Sequence, residues 1–181
     1  GEVYNFRELR SELEAKGYSF RSKTDSEVVL NALVEWGEKA LNKFNGMFAL
    51  ALWDRVERTL LLARDRYGIK PLYIGYQGNT FAFGSEQKAI LAIPSFQRTI
   101  DKQALLEYFT FQNIFTNSTL LTNIQLFQPG HYATLDLKRS NPKLHHTQYW
   151  DYNFCEPKKR VPNEEYREEL DRLFKQSVNR Q

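Results

Sequence analysis

The sequence contains very little sulfur: of its 181 residues, one is cysteine and one is methionine. The lone cysteine, Cys155, cannot form an internal disulfide and fits a reducing compartment, so the cytoplasm is the expected location. No apolar run approaches the roughly 20 residues that a membrane-spanning helix needs. No basic segment leads into a hydrophobic one as in a signal peptide. A disulfide scaffold and a membrane protein are therefore not expected.

Short catalytic motifs are also lacking. The sequence has no Walker-type glycine loop, no H-E-x-x-H, no paired C-x-x-C and no G-x-S-x-G. His145 and His146 are adjacent in a predicted strand, so their rings point to opposite faces and cannot bind one metal ion. We expect no metal site, and no catalytic role for Cys155, because no activating group is evident beside it.

Charge of one sign is not concentrated anywhere. The net charge is +3, and the densest basic cluster is Lys158-Lys159-Arg160, between Pro157 and Pro162. A solvated linker accounts for such a cluster, which belongs to a polar segment predicted to link two domains over 155–162. Nucleic-acid binding is not expected.

Apolar residues at helical spacing predict four longer helices. The first runs from about Asn5 to Lys16, and the second follows Thr24 and ends at Gly37. Thr24 and Glu27 have the spacing of a capping box and are interpreted as capping residues. Further helices are predicted after Asp101 and from about residue 163 to the end of the sequence. Ser85 and Glu86 are expected to fix the start of a short helix over 87–91, since serine is a good cap.

Short apolar or alternating runs predict strands over 47–53, 59–63, 72–76, 80–84, 131–137 and 144–150. The run 47–53 has no polar position, so a strand buried on both faces is expected, paired with 59–63 in a hairpin. Strands of this kind need cover above and below. Two stacked sheets with helices outside, an α/β/β/α sandwich of the α+β class, provide it, although the pattern also permits a single sheet with helices.

Five blocks of sequence carry a family resemblance. In order they are Gly1-Glu2-Val3-Tyr4-Asn5-Phe6-Arg7-Glu8-Leu9, Thr24-Asp25-Ser26-Glu27, 44–54 (FNGMFALALWD), 63–73 (ARDRYGIKPLY) and 83–91 (FGSEQKAIL). Together they resemble the class II glutamine amidotransferases, nearest to the glutaminase domain of glutamine-hydrolysing asparagine synthetases. The related phosphoribosyl-pyrophosphate amidotransferases share the fourth and fifth blocks, and the first block separates them.

This resemblance implies a fold, a reaction and a domain order. The fold is that of the amino-terminal-nucleophile hydrolases, here incomplete at its amino terminus. Residues 1–154 would form a partial glutaminase domain, and 155–181 the linker and first helix of a synthetase domain. The glutaminase would hydrolyse glutamine to glutamate and ammonia for ATP-dependent amidation of aspartate. ATP and Mg²⁺ would belong to the synthetase domain, with no cofactor in this chain, and a homodimer is a possible assembly.

The resemblance also implies site residues. Gly1 matches the glycine whose backbone N–H donates to the oxyanion, and Glu2 and Asp25 match the carboxylates that hold the α-amino group of glutamine. The family's nucleophile is an amino-terminal cysteine, which should lie upstream of Gly1. We therefore expect the chain by itself to be inactive. Arg64-Asp65-Arg66 is interpreted as a structural ion-pair and turn element.

Two other functions fit the same residues. One is a binding or regulatory module that keeps the amidotransferase fold without catalysis. The other is an asparagine-synthetase-like amidotransferase whose acceptor is a sugar or a peptide. Nothing in the sequence of this chain selects the acceptor.

Overall fold

A computed structural model describes residues 1–140, 142–155 and 161–180. The helices are α1 (Phe6–Ala15), α2 (Asp25–Trp36), α3 (Ala40–Lys43), α4 (Gln87–Leu91), α5 (Lys102–Phe111) and α6 (Asn163–Arg180). The strands are β1 (Glu2–Val3), β2 (Gly46–Met47), β3 (Ala49–Asp54), β4 (Thr59–Arg64), β5 (Tyr73–Gln77), β6 (Thr80–Gly84), β7 (Ile124–Leu126), β8 (His131–Asp136) and β9 (Leu144–Gln148). The helices and strands predicted from hydrophobic spacing are confirmed, most of them to within one or two residues.

The chain divides into two compact units. One consists of Gly1 with Met47–Trp150, and the other of Glu2–Gly46 with Asp151–Gln181. In the second unit α1 packs on α2, and the short strand β1 lies beside α2. The buried apolar side chains of this unit are Val3, Leu9, Leu13, Val28, Ala32, Leu33, Ala40, Leu41 and Phe44. They recur every three or four residues along α1 and α2, which is why these sequences fold as amphipathic helices.

The first unit contains two antiparallel sheets. One has four strands in the order β3-β4-β8-β9, and the other has three in the order β6-β5-β7. Leu60, Leu62, Ala133 and Leu135 from the four-stranded sheet pack with Leu72, Ile74 and Phe127 in one buried cluster. The side-chain alternation of a strand turns every second residue to this interface. The predicted stacking of two sheets is thus present.

A helix covers the other face of the three-stranded sheet. Ala82 of β6 and Ile124 of β7 form a second cluster with Ile90 of α4 and with Phe96. The layers of this unit are therefore sheet, sheet and helix. The α+β class and the sandwich arrangement predicted from the sequence are confirmed.

The prediction for the run 47–53 was wrong in one respect. The strand is interrupted at Phe48, whose N–H and C=O both bond to Asp65. Its longer part, β3, is an edge strand of its sheet, and Ala51 and Trp53 are exposed. An edge strand lacks a neighbour on one side, so an apolar composition does not ensure burial on both faces.

The capping predictions for α2 and α4 were also wrong. Thr24 and Glu86 precede α2 and α4, and neither helix receives a side-chain cap bond at its N-cap. Glu27 instead accepts bonds from residues 21 and 22. By contrast, Asp101 caps α5 through bonds from the N–H groups of Gln103 and Ala104.

Three further predictions concern the ends of the chain and the membrane. The linker predicted over 155–162, with its Lys158-Lys159-Arg160 cluster, falls mostly outside the described residues. The terminal helix is present as α6, and all its residues are exposed. Among the described residues, no helix combines the length and apolarity needed to cross a membrane.

Candidate active site

The predicted substrate-binding residue Asp25 begins α2 and is linked to strand β1. Its Oδ2 accepts the backbone N–H of Val3 at 3.0 Å, and its Oδ1 accepts the Ser26 hydroxyl at 3.3 Å. A carboxylate in the first turn of a helix is favoured by the positive end of the helix dipole. The bond from Val3 therefore fastens β1, which also carries Glu2, to the amino end of α2.

Glu2 and Val3 point in opposite directions, as neighbours in a strand do. Val3 is buried with 2 % of its surface exposed, whereas Glu2 is exposed. The two predicted carboxylates thus belong to one strand–helix junction, with Glu2 open to solvent and Asp25 half-buried. Two acids at one junction suit the recognition of an ammonium group.

Glu27, two residues further along α2, has a structural role. It accepts the N–H groups of Arg21 and Ser22 at 2.8 and 2.7 Å, and the Ser22 hydroxyl at 2.6 Å. The backbone N–H of Arg21, with the hydroxyl and N–H of Ser22, lowers the pKa of Glu27 below its ordinary value. Glu27 therefore closes the loop that leads into α2.

Asn5 was not identified as important by the sequence analysis. Its Nδ2 donates to the Lys43 carbonyl at 2.9 Å, and its Oδ1 accepts the Asn45 N–H at 2.9 Å. The backbone N–H of Tyr4 donates to the Asn45 carbonyl at 2.8 Å. We call the two side-chain bonds of Asn5 the Asn5 clasp. Asn5 directly precedes α1, so its position in the sequence suggests a helix cap. Nothing in the local sequence indicates its bonds to Lys43 and Asn45.

Gly46 permits the close approach of β1 and β2. A Cβ atom at this position would lie 2.1 Å from the Glu2 carbonyl oxygen and 2.8 Å from the Val3 Cα. Any side chain would push the strand that carries Glu2 away.

Gly1, the predicted oxyanion residue, is equally restricted. A Cβ atom there would lie 2.8 Å from both the Met47 carbonyl oxygen and the Phe48 Cα. A glycine suits an oxyanion role because no side chain on its Cα blocks the close approach of a substrate. The structure adds a second reason, which is that the backbone of residues 47 and 48 occupies the space a side chain would need.

Asp65 fixes the backbone against which Gly1 lies. This fully buried carboxylate accepts the N–H groups of Phe48, Tyr67, Ile69 and Lys70 at 3.0–3.2 Å. The Asp65 N–H also donates to the Phe48 carbonyl at 2.8 Å. The position of Phe48 therefore depends on Asp65.

Arg64 completes the same turn. Its guanidinium donates to the carbonyl oxygens of Lys70, Phe127 and Gly68 at 2.6–2.8 Å, and burial lowers its pKa. The turn element predicted at Arg64-Asp65-Arg66 is thus present, and the side chains of Arg64 and Asp65 bond to backbone groups.

The remaining chemical groups were predicted to play no part in a site. Cys155 is exposed, and its Sγ donates to the Asn153 side chain at 3.3 Å. His145 and His146 are both exposed, and the ring of His146 stacks on Phe127 with centroids 5.3 Å apart. Within residues 1–140, 142–155 and 161–180, no group of three or more His, Cys, Asp or Glu side chains could hold a metal ion.

Comparison with known families matches residues 1–150 to the glutamine amidotransferase domain. The chain belongs to this family. The matched range contains Gly1, strand β1, Asp25 and the turn at Asp65, so the contacts described for these residues lie within the family domain.

Named relatives are asparagine synthetases. The chain is 39 % identical over 152 residues to asparagine synthetase [glutamine-hydrolyzing] 3 of Bacillus subtilis, covering 83 % of this chain and 24 % of the relative. It is 41 % identical over 135 residues to asparagine synthetase [glutamine-hydrolyzing] 1 of the same organism, covering 75 % and 21 %. The chain therefore spans about a quarter of the length of the curated relatives it matches.

Solved structures share the fold of this amidotransferase domain. Glutamine phosphoribosylpyrophosphate amidotransferase from Bacillus subtilis matches with a TM-score of 0.56 and 18 % identity, over 82 % of this chain and 28 % of that one. A structure described as the allosteric regulatory enzyme of purine biosynthesis matches with a TM-score of 0.59 and 18 % identity, over 82 % and 27 %. At this identity the likeness concerns the fold.

Proposed function

We propose that this amidotransferase domain is the glutaminase portion of an ATP-dependent, glutamine-hydrolysing asparagine synthetase. It would hydrolyse glutamine to glutamate and ammonia, and the ammonia would amidate aspartate. The family match and the names of the relatives support this proposal. The structural observation that carries it is the bond from Val3 to Asp25, since it joins the strand of Glu2 to the second predicted carboxylate.

The site residues take three roles in this proposal. The backbone N–H of Gly1 donates to the oxyanion of the tetrahedral intermediate, where a fixed donor has its largest effect. Glu2 and the free lone pairs of Asp25 hold the α-ammonium group of glutamine, so that the side-chain amide is presented to the nucleophile. The nucleophile is an amino-terminal cysteine, which residues 1–181 do not supply. A polypeptide limited to these residues should therefore release no ammonia from glutamine.

The rest of the proposal concerns the whole protein. Residues 155–181 would be the linker and first helix of a synthetase domain, and that domain would bind ATP and Mg²⁺. The exposed apolar side chains of α6, among them Leu170 and Phe174, are consistent with a helix that packs against a further domain. We place the protein in the cytoplasm and propose a homodimer, which sedimentation of the complete gene product would test.

The decisive experiment measures ammonia release from glutamine by the complete gene product. Glu2→Gln and Asp25→Asn should each raise KM for glutamine by about 10- to 100-fold, because each removes a charged hydrogen-bond partner of the ammonium group. Glu38→Gln, an exposed acid in the same unit, is the matched control and should leave KM unchanged. Absence of ammonia release, or an equal KM in all four proteins, would reject the proposal.

A further inference from the structure

The Asn5 side chain makes two bonds that need different chemical groups. It donates to the Lys43 carbonyl and accepts from the Asn45 N–H, both at 2.9 Å. A primary amide offers a donor and an acceptor at once, whereas a carboxylate only accepts and an ammonium only donates. The identity of this residue is therefore matched to the segment 43–45.

The first helix does not explain this identity. Asn5 is the N-cap residue of α1, a position where asparagine usually bonds to the exposed N–H groups of the helix. Here its side chain makes no such bond, and it turns instead to residues 43 and 45. The side chain does not make the usual capping bond, so the structural role of Asn5 is not to cap α1.

We infer that Asn5 is a positioning residue for glutamine hydrolysis, because its clasp sets the register of the strand that carries Glu2. This inference rests on the proposed glutaminase function. Asn5 does not act on the substrate itself; it acts through the backbone of residues 2–4.

The register matters because β1 is only two residues long. Besides the pairing of β1 with β2, two bonds donated by backbone N–H groups hold this segment. The Val3 N–H donates to the Asp25 side chain and the Tyr4 N–H to the Asn45 carbonyl, and the clasp follows them directly. A slip of one residue in a strand moves every side chain to the opposite face. It would bury Glu2, expose Val3 and displace Gly1, which is covalently joined to Glu2.

The test uses the complete gene product and two nitrogen sources. Asn5→Ala removes both bonds, and Asn5→Asp keeps the acceptor but places a second oxygen against the Lys43 carbonyl. We expect each variant to lower kcat/KM for glutamine by about tenfold or more, since a displacement of about 1 Å can cost this much or more. Amidation supplied with free ammonia should stay at the wild-type rate, because it does not need the glutaminase site.

Two comparisons separate positioning from a general loss of stability. Asp101→Ala removes two side-chain bonds from the cap of α5, in the other unit, and should lower the melting temperature without changing kcat/KM for glutamine. Asn5→Gln keeps the amide on a longer side chain and should recover part of the activity lost in Asn5→Ala. In the 181-residue chain, hydrogen exchange of the Val3 and Tyr4 amides should accelerate in Asn5→Asp.

Each outcome decides a different question. If the wild-type gene product releases ammonia and the Asn5 variants keep its kcat and KM for glutamine, the inference is overturned and the glutaminase function stands. If the wild type releases none, the proposed function fails. If Asn5→Ala does not fold, unchanged exchange at Val3 and Tyr4 in Asn5→Asp overturns the inference by itself.

Discussion

The Asp25 side chain accepts the backbone N–H of Val3 at 3.0 Å, across 22 residues of sequence. This bond joins the first residue of α2 to the strand that carries Glu2. Asp25 is therefore required for the placement of β1, whatever its part in binding a substrate. The substitution Asp25→Asn separates the negative charge of Asp25 from its role in placing β1, because asparagine keeps an oxygen acceptor at this position.

Replacing Asp25 should affect stability in two distinct ways. Asp25→Ala should lower the free energy of unfolding by about 1–2 kcal/mol, because the half-buried Val3 N–H loses its acceptor. Asp25→Asn should cost less than half as much, since its amide oxygen can accept the same bond. Urea denaturation followed by tryptophan fluorescence measures both, and equal losses would show that the bond from Val3 is unimportant.

Asp65 should be one of the most sensitive positions of the domain. Asp65→Ala leaves four buried or half-buried N–H groups without their acceptor, and we expect a loss of about 3–5 kcal/mol. Asp54→Ala is the matched control, since Asp54 also accepts backbone N–H groups but is exposed, and it should cost under about 1 kcal/mol. Chemical denaturation measures both losses of stability, and similar losses for Asp65→Ala and Asp54→Ala would contradict the proposed importance of residues 65–70.

Gly46 should not tolerate a side chain. Gly46→Ala places a Cβ atom 2.1 Å from the Glu2 carbonyl oxygen, so β1 and β2 must separate, and we expect a loss of about 2 kcal/mol or more. At Gly84 the same atom would lie 3.5 Å from its nearest neighbour, an ordinary contact. Gly84→Ala should therefore change stability by less than about 0.5 kcal/mol. Thermal unfolding measures the stability of both variants, and equal melting temperatures would refute the prediction for Gly46.

The stability of the loop before α2 should depend on pH through Glu27. Its pKa in the folded protein lies below 4.5, chiefly because of the Arg21 N–H, so its stabilising effect is complete above pH 4.5. That effect is lost as the pH falls through the folded pKa. Glu27→Gln should be less stable than the wild type at neutral pH, and the difference should shrink in acid. Melting temperatures between about pH 3 and pH 7 measure it.

Ser22 provides the control for this pH dependence. Its hydroxyl is one of the groups that lower the pKa of Glu27, so Ser22→Ala should show part of the same change. A difference between Glu27→Gln and the wild type that stays constant with pH would contradict the assignment.

Hydrophobic spacing was sufficient to predict the helices and most strands. The apolar residues of α1 and α2 recur at helical spacing, and the β3-β4 hairpin follows from two apolar runs with a polar turn between them. Spacing could not show that β3 is an edge strand, because the neighbours of a strand are set by distant parts of the chain. The run 47–53 has the composition of a central strand, and only the pairing of the whole sheet excludes that position.

Local motifs gave wrong predictions where a side chain had another hydrogen-bond partner nearby. Thr24 and Glu27 have the spacing of a capping box, but the Arg21 and Ser22 N–H groups take the Glu27 carboxylate. Asn5 has the position of a helix cap, but its side-chain amide bonds to the backbone of Lys43 and Asn45. The candidate site was reached through the family resemblance, which identified Gly1, Glu2 and Asp25, and their roles stay predictions. The bond that connects Asp25 to Val3 spans too much sequence to be read from a motif.

The Asp65 turn also has a consequence for chemistry outside catalysis. Three of its N–H donors come from residues 67–70, and with Phe48 they surround one carboxylate. Converging backbone N–H groups of this kind form an anion receptor. In Asp65→Ala the receptor would be vacant, and a small carboxylate such as formate could occupy it and restore part of the lost stability. Residues 65–70 are thus a receptor whose bound anion is a side chain of the same polypeptide.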